Sequence, residues 1–291
     1  MNRRDIFLLF ILAVLWGASF LFIRIAAPVL NPAPLVEIRV VLAGIALVIY
    51  ALISGQEFSV KAFWRPFLIL GALNAAIPFT LVAFATLTIT ASLAAILNAT
   101  TPLFTVLLSA VWLKEPLTAK KIVGSIGGIG GVLLIVGLNP VIDSTPVLLA
   151  VGAALLAPFS YAVAGVYAKK VSLNASPLTL AIGQQFAAGI LLFPFAALTL
   201  PASLPSVSVV SAVLALALLS TAIGYLIFYK LIERIGATNT LSVTLLVPIF
   251  GMVWGAIILG EPISLIQIVG LIIILASLIL VTNITFGKTQ H

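Results

Sequence analysis

The sequence has 291 residues, of which 63% are hydrophobic and only 7% are charged, and its formal net charge is +7. Soluble domains carry about a quarter charged residues, so a mean hydropathy of +1.34 excludes a water-soluble fold and predicts an integral membrane protein. There is no cysteine and a single histidine, His291. Thiolate and histidine chemistry are therefore excluded, and we expect no enzyme activity, no metal site and no cofactor.

The elements predicted from the sequence are all helices. About 20 apolar residues are needed for a helix to cross a bilayer, and ten runs meet this length. Because short connections separate them, neighbouring helices are expected to be antiparallel, and no soluble domain is expected. The sequence therefore predicts an all-α membrane protein of ten transmembrane helices: 6–28, 33–54, 64–86, 90–113, 117–138, 146–169, 176–199, 207–232, 237–260 and 263–285.

Positive charge lies on one side of this predicted topology. Twelve of the 14 lysines and arginines fall near the termini or in alternate connections, and the opposite connections hold none. Basic residues accumulate in cytoplasmic loops, so both termini are predicted to be cytoplasmic, in a protein of the bacterial inner membrane. Since topology explains the charge, the lipid bilayer is the expected partner and a nucleic acid is not. The twelve residues are Arg3, Arg4, Lys61, Arg65, Lys114, Lys120, Lys121, Lys169, Lys170, Lys230, Arg234 and Lys288.

An internal repeat divides the chain. With an offset of 146 residues, Ala91–Gly124 matches Ala237–Gly270 at ten of 34 positions, including a Glu-Pro pair. Such self-similarity indicates duplication, and we predict two repeats, 1–138 and 146–285. Each contains five helices, an odd number, so the second must insert with inverted topology. Inverted repeats are typical of secondary transporters, whose substrate site lies near the bilayer midplane.

The same residues carry a family resemblance. Trp16-Gly17-Ala18-Ser19-Phe20 resembles the Trp-Gly-x-x-Phe opening of EamA domains, and the mid-helix proline, Glu-Pro turn and glycine-rich fifth helix resemble the end of that domain. The chain is thus similar to the drug/metabolite transporter superfamily, and most similar to amino-acid exporters of the YddG type. The resemblance implies a ten-helix exporter of small metabolites with cytoplasmic termini.

Three prolines, Pro78, Pro102 and Pro248, lie inside predicted helices. A mid-helix proline leaves the carbonyl four residues earlier without its usual partner. Backbone polarity at this depth is tolerated when it is buried in protein or lines a wet cavity. The prolines therefore indicate either kinks repaired by neighbouring helices or a polar patch. The candidate patch residues are Asn74, Asn98, Thr101 and Thr244.

Several aromatic residues fall at interior depths rather than in the interfacial belts that they usually occupy. Two repeat-related pairs are among them, Phe20 with Tyr161 and Phe79 with Tyr225. These residues either pack the bundle or form the wall of a cavity for an amphipathic solute. With the polar patch, the candidate substrate-binding residues are Trp16, Ser19, Phe20, Asn74, Phe79, Asn98, Thr101, Tyr161, Tyr225 and Thr244.

Few ionisable residues lie within the predicted helices. Arg24, Glu37 and Arg39 are near the outer ends of the first two helices, where long side chains can extend to water. They are interface anchors or, for Arg24 and Glu37, a possible ion pair that gates the outer mouth. No basic residue is expected in the central cavity, and no carboxylate is seen at mid-membrane, which favours facilitated export over proton coupling.

The Glu-Pro turns and glycine pairs have simpler interpretations. Glu115 and Glu261 precede a proline and are expected to cap the helix that follows, where unpaired amides and the helix dipole favour a carboxylate. Gly127-x-x-x-Gly131 and Gly251-x-x-x-Gly255 permit close helix approach, here within the chain or in a dimer. Oligomeric state stays open.

The function predicted is export of small metabolites by alternating access, with neutral or aromatic amino acids as the preferred solutes. Neutral polar groups can hold a zwitterion, and aromatic rings its side chain. An exporter of drugs or other metabolites, or a passive channel, are the alternatives.

Overall fold

The computed structural model describes residues 2–59, 63–138, 144–171, 175–201 and 203–282. In those ranges every regular element is helical, and the predicted fold class of two five-helix repeats with inverted topology is confirmed. The helices are α1 Arg3–Leu30, α2 Pro32–Ser54, α3 Trp64–Ala85, α4 Ala91–Trp112, α5 Ala119–Gly137, α6 Thr145–Val171, α7 Pro177–Leu198, α8 Val207–Gly236, α9 Val243–Leu259 and α10 Leu265–Thr282.

Helix starts follow from local chemistry. Asn2 accepts a hydrogen bond from the Arg4 amide at the start of α1 (2.7 Å), and Thr90 accepts one from the Leu93 amide at the start of α4 (3.1 Å). Thr118 and Ser176 cap α5 and α7 in the same way. These side-chain oxygens satisfy amides that have no partner inside the helix, so the polar residues between apolar runs set where each span begins.

The ninth helix starts later than predicted. Gly236 adopts φ 80°, a left-handed conformation that ends α8, and a separate helical turn extends to Thr240 before α9 begins at Val243. Glycine reaches positive φ without a Cβ clash. The helix α9 is consequently shorter than the 18 residues that each of the other nine reaches.

Three helices are irregular at mid-length. Ala72–Ala76 in α3 and Ala215–Ile223 in α8 are π-helical, and the two segments overlap under the repeat offset. In α4 the helix is interrupted at Ala99 and Thr100, just before Pro102. π-segments inside α-helices are frequent at functional sites. The sequence signalled the α3 irregularity through Pro78, but α8 has glycine at the equivalent position, so its wide turn could not be predicted.

Helices of one repeat pack directly against helices of the other repeat. The helix α1 lies against α9, α2 against α7, and α5 against α10. Small residues permit the closest approaches: a Cβ on Gly131 would lie 3.1 Å from the Gly270 carbonyl oxygen, and a Cβ on Gly251 would overlap Ala95. Of the two interpretations of the glycine pairs, the structure shows packing within the chain for both.

The outer surface suits lipid. Large aliphatic and aromatic side chains remain exposed around the bundle, such as Val111 (74%), Ile126 (66%) and Ile257 (70%). Exposed apolar area on this scale is unusual for a soluble monomer and is expected where acyl chains replace water. The protein is an integral membrane protein.

Candidate substrate site

An arginine lies buried where α2, α3 and α8 meet. Arg39 is only 6% exposed. Its Nε donates to the Thr221 hydroxyl (2.9 Å), and its Cζ lies 3.5 Å from the centre of the Phe79 ring. At 1.5 Å per residue it is about 10 Å along α2 from Pro32. The expectations that Arg39 extends to the interface and that no basic residue enters the interior were therefore wrong. The rotation of α2 about its axis directs the Arg39 side chain into the helix bundle.

Aromatic rings continue from this arginine across the bundle. The Phe79 and Tyr161 ring centres are 6.3 Å apart, and Tyr225 lies beside Gln184. Tyr225 stacks on Tyr229 at 5.9 Å. Phe228 then links Tyr229 to Trp16, with ring centres 5.6 and 5.2 Å apart. The aromatic wall thus joins helices of both repeats.

Amide side chains complete the cluster. Asn74, in the π-segment of α3, donates to Gln184 Oε1 in α7 at 2.8 Å. Gln184 also lies beside the Tyr225 hydroxyl, whereas both polar atoms of Gln185 are buried with no hydrogen-bond partner among the described residues. Each buried unpaired polar atom costs about 1–3 kcal/mol, so this part of the interior is suited to a polar ligand. Sequence reasoning missed Gln184, Gln185 and Thr221, although two adjacent glutamines inside an apolar span were a usable signal.

Only some of the predicted site residues come together. Asn74, Phe79, Tyr161 and Tyr225 gather around Arg39 and Gln184, and Trp16 joins them through Phe228. The others are engaged elsewhere: Ser19 donates to the Trp16 carbonyl, Phe20 is buried near Gly251, Thr101 donates to the Asn98 carbonyl, and Thr244 donates to the Leu241 carbonyl.

The proline-freed carbonyls are partly repaired. Thr101 Oγ1 lies 2.9 Å from the Asn98 oxygen that Pro102 deprives of its amide partner. The Asn98 side-chain Oδ1 itself is buried without a hydrogen-bond partner. Pro248 lies inside a helix that continues through it. Kink repair therefore accounts for the Asn98 backbone carbonyl, and the polar cluster lies instead around Arg39 and the π-segment of α3.

One Glu-Pro corner caps a helix of the other repeat. Glu261 Oε1 accepts from the Ala91 amide (2.7 Å), and Oε2 accepts from the Ser92 amide (2.9 Å) and hydroxyl (2.6 Å). A carboxylate at a helix N-terminus is favoured by unpaired amides and by the dipole. Capping is confirmed, but the capped helix is α4 and not the following α10. We call this contact the Glu261 latch.

The second corner does not cap. Glu115 pairs with Lys169 (2.5 Å) and more distantly with Lys121 (3.9 Å), while Thr118 caps α5. The expectation that Glu115 caps the next helix was wrong, because the neighbouring lysines offer full charges. The hydrogen bond from Lys169 lowers the pKa of the Glu115 carboxyl below its ordinary value. Since Glu115 and Glu261 lie at opposite ends of α4, the two repeats are inserted in opposite senses.

The proposed outer ion pair is not formed. Arg24 Nη1 donates to the Thr86 carbonyl, and none of the ion pairs among the described residues joins Arg24 to Glu37. Glu37 lies beside Gly189 of α7, with Oε2 buried and unpaired. The helix turn at Thr86 offers a carbonyl within reach of Arg24, which satisfies that guanidinium locally.

Two cavities lie at the end of the bundle that carries Lys169, which we call the lysine-rich end. One, of about 310 Å³, is lined by Thr105, Ser109 and the Glu115–Lys169 pair. The other, of about 680 Å³, lies between the end of α2 and the start of α7. The same end holds the Asp5–Arg234 ion pair (2.7 Å).

A duplicated five-helix bundle with a buried polar and aromatic cluster between its halves is the architecture of a membrane transporter. The chain belongs to the EamA-like transporter family, whose model matches residues 3–137 and 148–283. It is 29% identical to the uncharacterized transporter YvbV of Bacillus subtilis, over 99% of this chain and 94% of that protein.

Other relatives agree with this class. A probable amino-acid metabolite efflux pump of Escherichia coli is 26% identical over 96% of this chain and 94% of its own length. Protein PecM of Dickeya dadantii is 28% identical over 93% and 89%. A solved crystal structure superposes with a TM-score of 0.68 at 18% identity, covering 96% of both chains, and supports the fold.

Proposed function

We propose that the protein exports amino acids or similar small metabolites from the cytoplasm by alternating access around the Arg39 cluster. The observation that carries the proposal is the buried guanidinium, flanked by Phe79, Tyr161 and the Asn74–Gln184 pair, between two inverted repeats. Ionisable groups inside a membrane protein mark substrate pathways by default. Relatives named as probable amino-acid metabolite efflux pumps support this solute class.

The lysine-rich end is assigned to the cytoplasm, which places both termini there. The support is the positive-inside distribution, together with the Asp5–Arg234 pair that holds the N-terminal segment beside the turn after α8. Both described cavities then belong to the cytoplasmic side. A solute would enter the protein from that side, as an exporter requires.

Alternating access is supported by an asymmetry between repeat-equivalent contacts. Near the Glu261 latch, Gly251 and Gly255 of α9 pack tightly on the first turns of α4. Their equivalents under the repeat offset are Thr105 and Ser109, which line the 310 Å³ cavity instead. We interpret the tight packing at the latch end and the cavity at the lysine-rich end as a state that is open towards the lysine-rich end. In the opposite state the two ends would exchange these arrangements, and Glu115 would reach the helical turn that begins at Ala237.

The test is counterflow in proteoliposomes. Vesicles loaded with an unlabelled amino acid should accumulate the same labelled amino acid transiently, and initial rates should saturate with concentration. A channel would give linear flux without counterflow, and a drug exporter would respond to organic cations but not to amino acids. Gln184→Ala should lower the rate at least tenfold, whereas Leu204→Ala, at an exposed position (96%) away from the site, serves as the matched control.

A further inference from the structure

We propose that Arg39 binds the carboxylate of the transported solute, so that the solutes are monocarboxylates with an apolar or aromatic body and the carboxylate, not an amino group, decides recognition. This inference rests on the proposed function and names the chemistry of the same site.

The first support is an unbalanced buried charge. Arginine is charged at every physiological pH, yet none of the ion pairs among the described residues includes Arg39. Its side-chain partners, the Thr221 hydroxyl and the Phe79 ring, carry no charge. Intramembrane ionisable groups usually pair with one another or with backbone carbonyls, and an uncompensated buried charge is strongly unfavourable. A counter-anion is therefore expected here, and the transport cycle can supply one.

The second support is the orientation of the guanidinium. The Phe79 ring covers one face of the planar group at 3.5 Å, and Thr221 takes the Nε–H. Hydrogen-bond donors of arginine lie in the plane of the group and form a fork that matches a carboxylate. Stacking on a ring uses the face and leaves the in-plane Nη donors available. Nη1 and Nη2 donate to no described residue, so a carboxylate can bind them while the ring holds the fork in place.

The third support is what surrounds the fork. Asn74 and Gln184 supply neutral polar groups beside it, and Tyr161 and Tyr225 can contact an apolar solute body. Among the described residues no carboxylate forms an ion pair with Arg39. A single cation suits a monoanion, whereas a phosphate dianion would call for more basic residues than this cluster contains.

The consequence is a testable order of solutes. An acid and its amide share the same body and differ in the anion, so wild-type protein should bind phenylalanine about 10- to 150-fold more tightly than phenylalaninamide, the range of one charge-assisted hydrogen bond. 3-Phenylpropionate, which lacks the amino group, should bind about as well as phenylalanine. Phenethylamine should bind as weakly as the amide, because an unpaired arginine repels cations.

The experiment measures ligand-induced shifts in thermal unfolding of the purified detergent-solubilised protein, and counterflow in proteoliposomes, with these four probes. Matched acid and amide pairs of leucine and threonine cover other side chains, and a sugar phosphate serves as a dianion. Arg39→Gln should bring the acid-to-amide affinity ratio close to one, and Arg39→Lys should retain part of it. A structural role would lower all affinities equally and leave that ratio unchanged.

The outcomes separate the two proposals. If wild-type protein binds acids over amides but shows no counterflow, the transport assignment fails and the Arg39 inference holds. If wild-type protein carries amino acids and their amides equally well, the inference is overturned and export stands. Equal acid-to-amide ratios in wild type and Arg39→Gln, or tighter binding of the sugar phosphate than of phenylalanine, also overturn it. The wild-type comparison decides the question even if Arg39→Gln does not fold.

Discussion

Removing the charge of the Glu261 latch should open the end of the protein opposite the lysine-rich end. In the wild-type protein the amide and the hydroxyl of Ser92 both donate to Glu261 Oε2, at 2.9 and 2.6 Å. Glu261→Gln keeps the side-chain size but replaces one acceptor oxygen by a donor that faces these two donors. Hydrogen bonds to a charged group contribute about 1.5–3 kcal/mol each. Loss of one such bond shifts the balance between closed and open states by a factor of about 10 to 150.

The chain has no cysteine, so a single introduced thiol reports accessibility without background. Thr101→Cys is suitable because Thr101 is half-buried in α4, about 15 Å beyond the latch at 1.5 Å per residue. Labelling by a membrane-impermeant maleimide added to the latch side should be at least tenfold faster in Glu261→Gln than in the Thr101→Cys parent. The repeat-equivalent Glu115→Gln is the control and should not accelerate it, because Glu115 lies at the other end of α4. Equal labelling in the parent and Glu261→Gln would show that the latch is only a structural cap and would refute the reasoning.

Three further predictions concern stability. Gly131→Val should lower the free energy of unfolding by about 1–3 kcal/mol through overpacking, because a Cβ at this position would lie 2.9 Å from Ile274 and 3.1 Å from the Gly270 carbonyl oxygen. The control is Gly130→Ala, which should change thermal unfolding little because no described residue outside its own helix places an atom within 4 Å of a Cβ at that position. Gln185→Leu removes two buried unpaired atoms and should raise unfolding free energy by about 1–3 kcal/mol while slowing counterflow; a less stable protein would contradict this. Finally, the pKa of Glu115 is lowered by Lys169. Its stabilising contribution, at most about 1 kcal/mol for an exposed pair, should be complete above the unfolded-state pKa of about 4.3. This contribution should disappear as the pH falls through the lowered pKa of Glu115 in the folded protein. The difference in Tm between wild type and Lys169→Gln should therefore persist at pH 7 and vanish below that folded-state pKa.

Much of the architecture could be predicted because it depends on local and repeated features. Apolar runs specify spans, since the bilayer requires about 20 residues, and the duplication of a unit with five helices, an odd number, indicated that the second repeat is inverted. The positions of Glu115 and Glu261 at opposite ends of α4 confirm that inversion. Asn74, Phe79, Tyr161 and Tyr225 could also be selected, because polar and aromatic residues at interior depth stand out in an apolar span.

The partners of charged side chains could not be predicted, because they depend on helix rotation and on which helices of the two repeats meet. Arg39 is close to a helix end in sequence, but the packing of α2 on α7 and α8 turns it onto Phe79. Glu261 was expected to cap the next helix, yet the two amides it binds lie 170 and 169 positions away along the chain. Sequence alone determined how many helices cross the membrane and in which order, since hydropathy and duplication are properties of the chain itself. Only the tertiary structure decided which polar groups face one another, because a buried charge is satisfied by whatever lies near it in space.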